Sequence, residues 1–150
     1  MRVVIQRVTE GSVYVAEPYH YEETGPGFVI LLAIKQGDTN SDVNFLADKC
    51  TNLRVFEDEN GKMNNSVIDT EGEILLISQF TLYGDAQRGN RPSFSLAAPP
   101  KEAIPLYEAF IAKLRENIGY EKVKAGLFGA MMQVKIINDG PVTIIIDSKE

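Results

Sequence analysis

With 150 residues, 44% of them hydrophobic, a net charge of −6, one cysteine and one histidine, the chain is sized for a single domain spanning residues 1–150. One cysteine leaves no internal disulfide, and a single imidazole leaves no Ser-His-Asp triad, Cys-His pair or His-rich zinc site unless His20 itself serves. The acidic balance argues against long-range attraction to nucleic acid or anionic membrane. No apolar run reaches the roughly 18 residues of a membrane span, and the N-terminus reads as neither leader nor anchor, so a cytoplasmic location is expected.

In chain order, residues 1–8 are rich in β-branched side chains, and Gly11-Ser12 followed by Val13-Tyr14-Val15 predicts a strand pair joined by a short turn. His20 lies in EPYHYEE, which reads as a hairpin or surface strand with a structural histidine. The unbroken apolar run from Phe28 to Ile34, after Gly25-Pro26-Gly27, predicts a strand buried on both faces. Val43, Leu46, Cys50 and Leu53 recur at helical spacing behind the cap formers Asp38, Thr39 and Ser41. They predict a helix over residues 40–53 with Cys50 in the core.

Asn60-Gly61 predicts a hairpin turn, and residues 73–83 predict a strand. Ile104, Tyr107, Ile111, Leu114 and Ile118 line one face of a second helix, whose regular part is expected to begin only at Pro105. Two last strands, about 131–138 and 142–147, are separated by Asn138-Asp139-Gly140-Pro141. The expected fold class is α/β, mostly β, with two main helices.

The strand over residues 73–83 ends in ISQFTLYG. Alternation would place Gln79 and Thr81 on one face and Ser78 and Phe80 on the other. A threonine hydroxyl needs a base to become a nucleophile, and no histidine or lysine stands near Thr81 in sequence. Thr81 alone therefore reads as a hydrogen-bonding residue. Gly140-Pro141 reads as a turn, with a cis bond open to it because it precedes proline. Arg88 and Arg91 form a small basic patch in a loop free of acids.

Taken together, SQFTLYGDAQRGNRPSF, AAPP, LFGAMMQV and NDGPVT, with MRVVIQRV and LRVFEDENGKMN before them, closely resemble the D-aminoacyl-tRNA deacylases along the whole chain. The chain departs from that pattern at Met131, where relatives carry an acid. The resemblance implies barrel-like mixed sheets and hydrolysis of the ester between a D-amino acid and the terminal adenosine of tRNA, without metal or other cofactor. It places Ser78, Gln79, Phe80 and Thr81 at the catalytic site, with main-chain N–H groups near Phe80 and Thr81 serving the ester carbonyl.

The resemblance also assigns chiral selectivity to a cis-bonded Gly140-Pro141 inserted into the partner subunit's site, and hence a homodimer. L-aminoacyl-tRNA would then be rejected and glycyl-tRNA accepted. Loop position and chemistry, not the resemblance, suggest Phe94 or Met132 for apolar contact with the terminal adenosine and Arg88 or Arg91 for local phosphate neutralisation. The competing reading is a dimeric module that binds the aminoacyl end of tRNA without hydrolysing it.

Overall fold

The computed structural model describes residues 1–149. Strand β1 (Arg2–Val15) runs unbroken for 14 residues. The turn expected at Gly11-Ser12 is absent, because Gly11 is paired on both sides, with Thr24 of β2 (His20–Thr24) and with Ile136 of β8 (Gln133–Asp147). Glycine serves close approach there instead of a turn: a Cβ on Gly11 would lie 2.7 Å from Val29 Cγ2.

Along its other half β1 pairs antiparallel with β3 (Gly27–Ala33), which runs parallel to β6 (Glu73–Ser78), itself parallel to β7 (Val123–Ala125). His20 Nε2 lies 2.8 Å from the carbonyl oxygen of Ala125, joining β2 to the end of β7. The sheet therefore curls almost shut into a barrel, and the lone histidine is one of its seams. Phe56–Glu57 (β4) and Met63–Asn65 (β5) form the small hairpin expected around Asn60-Gly61.

Strand alternation divides the core. Phe28, Ile30, Ile74 and Leu76 face one way, into a cluster with Leu46, Cys50, Phe110 and Leu114 of the two helices. Val29, Leu75 and Ile77 face the other way and meet Val8 and Val13, with Met132, Val134 and Ile136 packed against them. Helix α1 (Asn40–Asn52) starts where predicted, with Asp42 Oδ2 accepting from the Thr39 N–H at 2.8 Å, and Cys50 is fully buried.

Helix α2 (Pro100–Ile118) begins five residues earlier than expected. Pro100 occupies its first position, where a missing N–H costs nothing, and Pro105 stands on the exposed side, where it removes one bond without breaking the core face. The buried face is Ala103, Tyr107, Phe110 and Leu114, while the predicted Ile104 points outward. No helix among the described residues is long and apolar enough to cross a membrane.

Candidate active site

Strand β6 ends at Ser78, not at Tyr83 as the apolar pattern predicted. Of its neighbours β7 stops first, at Ala125 opposite Leu76, and β3 reaches only one residue past Leu32, the partner of Ser78, with a last ladder bond from Gln79 N–H to Leu32 O at 2.8 Å. With no strand left to pair, the chain satisfies its own backbone by folding into a 3-10 turn, Phe80–Tyr83. The Leu82 N–H donates to Gln79 O at 3.1 Å, and the Gly84 N–H to Thr81 O at 2.9 Å. The N–H groups that open such a turn have no internal partner. Here those are Phe80 and Thr81.

The turn also changes which side chains meet. Ser78, Gln79 and Phe80 all line one cavity of about 340 Å³, so the two-face division does not survive past the end of the strand. Leu32, Ile77 and Met132 supply its apolar wall. Thr81 does not line it, but its Oγ1 accepts a hydrogen bond from Gln79 Nε2. A carboxamide cannot take a proton at neutral pH, so this partner orients the hydroxyl without activating it.

Asp85, the nearest acid in sequence, does not fold back onto Thr81. Its Oδ1 accepts from the Gln87 N–H at 2.9 Å, and its backbone exchanges two 2.8 Å bonds with Ser93. Tyr83 is buried, and burial, reinforced by the carboxylates of Asp38 and Asp147, pushes its phenol up to about 12. It is neutral at pH 7 and no better a base.

Phe94 packs edge-on against Phe80, ring centroids 5.2 Å apart, and so borders the site without lining the cavity. Met131 stands at the cavity, 92% exposed. Arg88 and Arg91 lie in the exposed loop beyond the turn and contribute nothing to the lining. The wall from Phe128 to Met132 is fixed from behind by Tyr107, whose buried hydroxyl donates to Gly126 O at 2.8 Å. Burial raises this phenol well above its ordinary value. Tyr107→Phe strands that carbonyl, and thermal unfolding is expected to show a loss of about 1–2 kcal/mol.

The second predicted feature lies elsewhere. The expected two final strands are one, β8, interrupted by a wide bulge. Gln6 pairs with Thr143 and Val8 with Asn138, so residues 139–142 stand opposite Arg7 alone. The Gly140-Pro141 bond in this bulge is cis. Gly140 has φ +130°, and a Cβ there would meet Val142 Cγ2 at 2.9 Å and Val142 N at 3.0 Å.

Arg7, 7% exposed, holds the bulge: its Nε donates to Asp139 O at 3.0 Å and its Nη1 to Val55 O at 2.6 Å. The sequence reading missed Arg7. Its only signal was a charge inside an apolar strand, and buried charges are rare unless they have such partners. Gly140 and Pro141 are not among the residues that line their own chain's cavity. Among the described residues no group of three or more His, Cys, Asp and Glu is placed to hold a metal ion.

Residues 4–147 match the family model described as D-Tyr-tRNA(Tyr) deacylase. The chain is 54% identical to the D-aminoacyl-tRNA deacylase of Brevibacillus brevis, covering 99% of this chain and all of the relative. It is also 54% identical to the enzyme of the same name from Thermus aquaticus, covering 100% and 97%. A solved structure of the c-Myc DNA unwinding element binding protein superposes with a TM-score of 0.93 at 45% identity over all of both chains. A second, a probable eukaryotic D-amino acid tRNA deacylase, shares the fold with a TM-score of 0.82 at 18% identity, over 97% and 98% of the two chains.

Proposed function

Because this chain belongs to the D-Tyr-tRNA(Tyr) deacylase family, we propose that it hydrolyses the ester of D-aminoacyl-tRNA with main-chain N–H groups in place of a catalytic triad. Water attacks the ester carbonyl carbon, assisted by the neighbouring ribose 2′-hydroxyl. The N–H groups of Phe80 and Thr81 receive the developing oxyanion, and collapse expels the ribose 3′-oxygen, which takes up a proton. The observation that carries this reading is the 3-10 turn at the end of β6, which opens at Phe80, a residue lining the cavity, with N–H groups that such a turn leaves without an internal partner, while Thr81 has only a carboxamide for a partner.

Selectivity, in this reading, comes from a second copy of the chain. Gly140-Pro141 of one subunit enters the site of the other and occupies the space an L side chain would need, so D-esters and the side-chain-free glycyl ester are accepted. Two features support the dimer. The bulge does not reach the cavity of its own chain, and β8 is an edge strand with Ile137 43% and Ile145 64% exposed, an apolar edge that a second copy would cover. Phe94, continuing the apolar face of Phe80, and Met132 receive the terminal adenosine, and Arg88 and Arg91 lie near its phosphates.

A threonine-nucleophile mechanism makes the opposite demand on Thr81. Thr81→Val is expected to keep turnover of D-tyrosyl-tRNA within about tenfold of the parent protein, because a positioning group is lost and no covalent step. Loss of all turnover in a folded Thr81→Val variant would refute the N–H mechanism. The non-catalytic reading is separated by release of D-tyrosine with a chelator present: release supports the hydrolase, and none supports the binding module.

A further inference from the structure

The turn that presents Phe80 and Thr81 is held at its entry by the bond from Gln79 N–H to Leu32 O. Its exit is held by a side chain from the far end of the sequence. Arg2, the first residue of β1, donates Nη1 to the carbonyl of Leu82 at 3.1 Å, and its guanidinium lies 5.1 Å from the centroid of the Tyr83 ring. The rest of the same fork is bound to Asp147, the last residue of β8, with Nε to Oδ1 at 2.8 Å and Nη2 to Oδ2 at 3.2 Å.

One planar group thus commits three donors to two elements. Hydrogen bonding to Asp147 holds Arg2 still more firmly charged, and the same bond holds the Asp147 carboxyl below its usual range. Both side chains are more than one third exposed, so the ion pair adds little to folding stability. What it does fix is geometry, since a bidentate guanidinium allows almost no rotation of either partner.

We propose that Arg2 is a positioning residue for deacylation: by clamping the Leu82 carbonyl to the end of β8, it sets the direction in which the N–H groups of Phe80 and Thr81 point. This rests on the N–H mechanism proposed above. Donors that catalyse must meet the oxyanion within a few tenths of an ångström, and without Arg2 nothing bonds the turn's last carbonyls directly, the nearest holds being the buried Tyr83 ring and the Asp85–Ser93 backbone pair. Binding of the tRNA end involves cavity walls that Arg2 does not touch, so the loss falls on kcat. Lysine cannot replace arginine, because one ammonium cannot bond to a carbonyl and both carboxylate oxygens in one plane.

The test compares Arg2→Ala, Arg2→Lys and the control Arg54→Ala in steady-state hydrolysis of D-tyrosyl-tRNA. Arg54 is a similar tether away from the site, donating Nε to Asn64 O at 3.0 Å. Arg2→Ala is expected to lower kcat by about 10- to 100-fold with KM within about threefold, Arg2→Lys to recover only a minor part, and Arg54→Ala to keep the parent kcat. A kcat within about twofold of the parent in Arg2→Ala, a loss confined to KM, or full rescue by lysine would overturn the proposal. Failure of the N–H mechanism itself shows separately, as retained activity when the Phe80 N–H is removed with Arg2 intact.

Discussion

Replacing Gly140 by alanine is expected to lower kcat/KM on D-tyrosyl-tRNA by about 100-fold while leaving the fold in place. A φ of +130° is a region that L side chains rarely adopt, and the added Cβ would stand 3.0 Å from the backbone nitrogen of Val142, an atom that cannot swing aside. Arg7 Nη2 closes the third side at 3.3 Å. The bulge must therefore change shape, and its carbonyls can no longer reach a partner's site in the same direction.

Stability is expected to suffer far less, by about 1–2 kcal/mol, because residues 138–141 are exposed and belong to an edge strand. The check is a pair of measurements on one preparation, initial rates and thermal unfolding. A variant that hydrolyses at the parent rate would remove the bulge from the mechanism.

The Phe80 N–H gives the second large effect. Phe80→Pro deletes that donor at the first position of the 3-10 turn, the place in a helical turn that best tolerates proline. It also deletes the aromatic ring, which is 53% exposed and packs on Phe94, so Phe80→Ala is the necessary comparison. Alanine keeps the N–H and is expected to raise KM by a few fold through lost apolar contact. Proline is expected to cost a further 100- to 1,000-fold in kcat, about 3–4 kcal/mol, the usual effect of removing one oxyanion donor. Equal kcat in the two variants would mean that this N–H does not face the reacting carbonyl.

How much of this was legible in the sequence depended on how local the cause was. Helix α1 was readable because its cap, Thr39 with Asp42, and its apolar stripe lie within one short segment. Strand β3 was readable because burial on both faces leaves an unbroken apolar run. The stop at Ser78 was not, since it is set by where β3 and β7 end, and that register is absent from the segment itself. For the same reason Gly11 read as a turn when it is a point of close contact between strands, and β8 read as two strands when one carries a bulge.

The site divides in the same way. SQFT and Gly140-Pro141 were found as motifs, but the residues that aim them were not. Arg7 holds the bulge from 132 positions away, and Tyr107 braces the cavity wall through a single carbonyl. Such residues look like ordinary strand and helix members until the chain is folded, because their partners are backbone oxygens, which every residue has.

The two variants also combine into the sharpest test of a site built from two subunits. In a purified heterodimer with Gly140→Ala in one subunit and Phe80→Pro in the other, one site keeps an intact turn facing an intact bulge, and the other site has neither. If Gly140-Pro141 acts across the interface, that heterodimer is predicted to hydrolyse D-tyrosyl-tRNA at about half the parent rate, although each homodimeric variant is nearly inactive. A heterodimer as inactive as its parents would contradict the account, because it would place both elements in the same subunit's site.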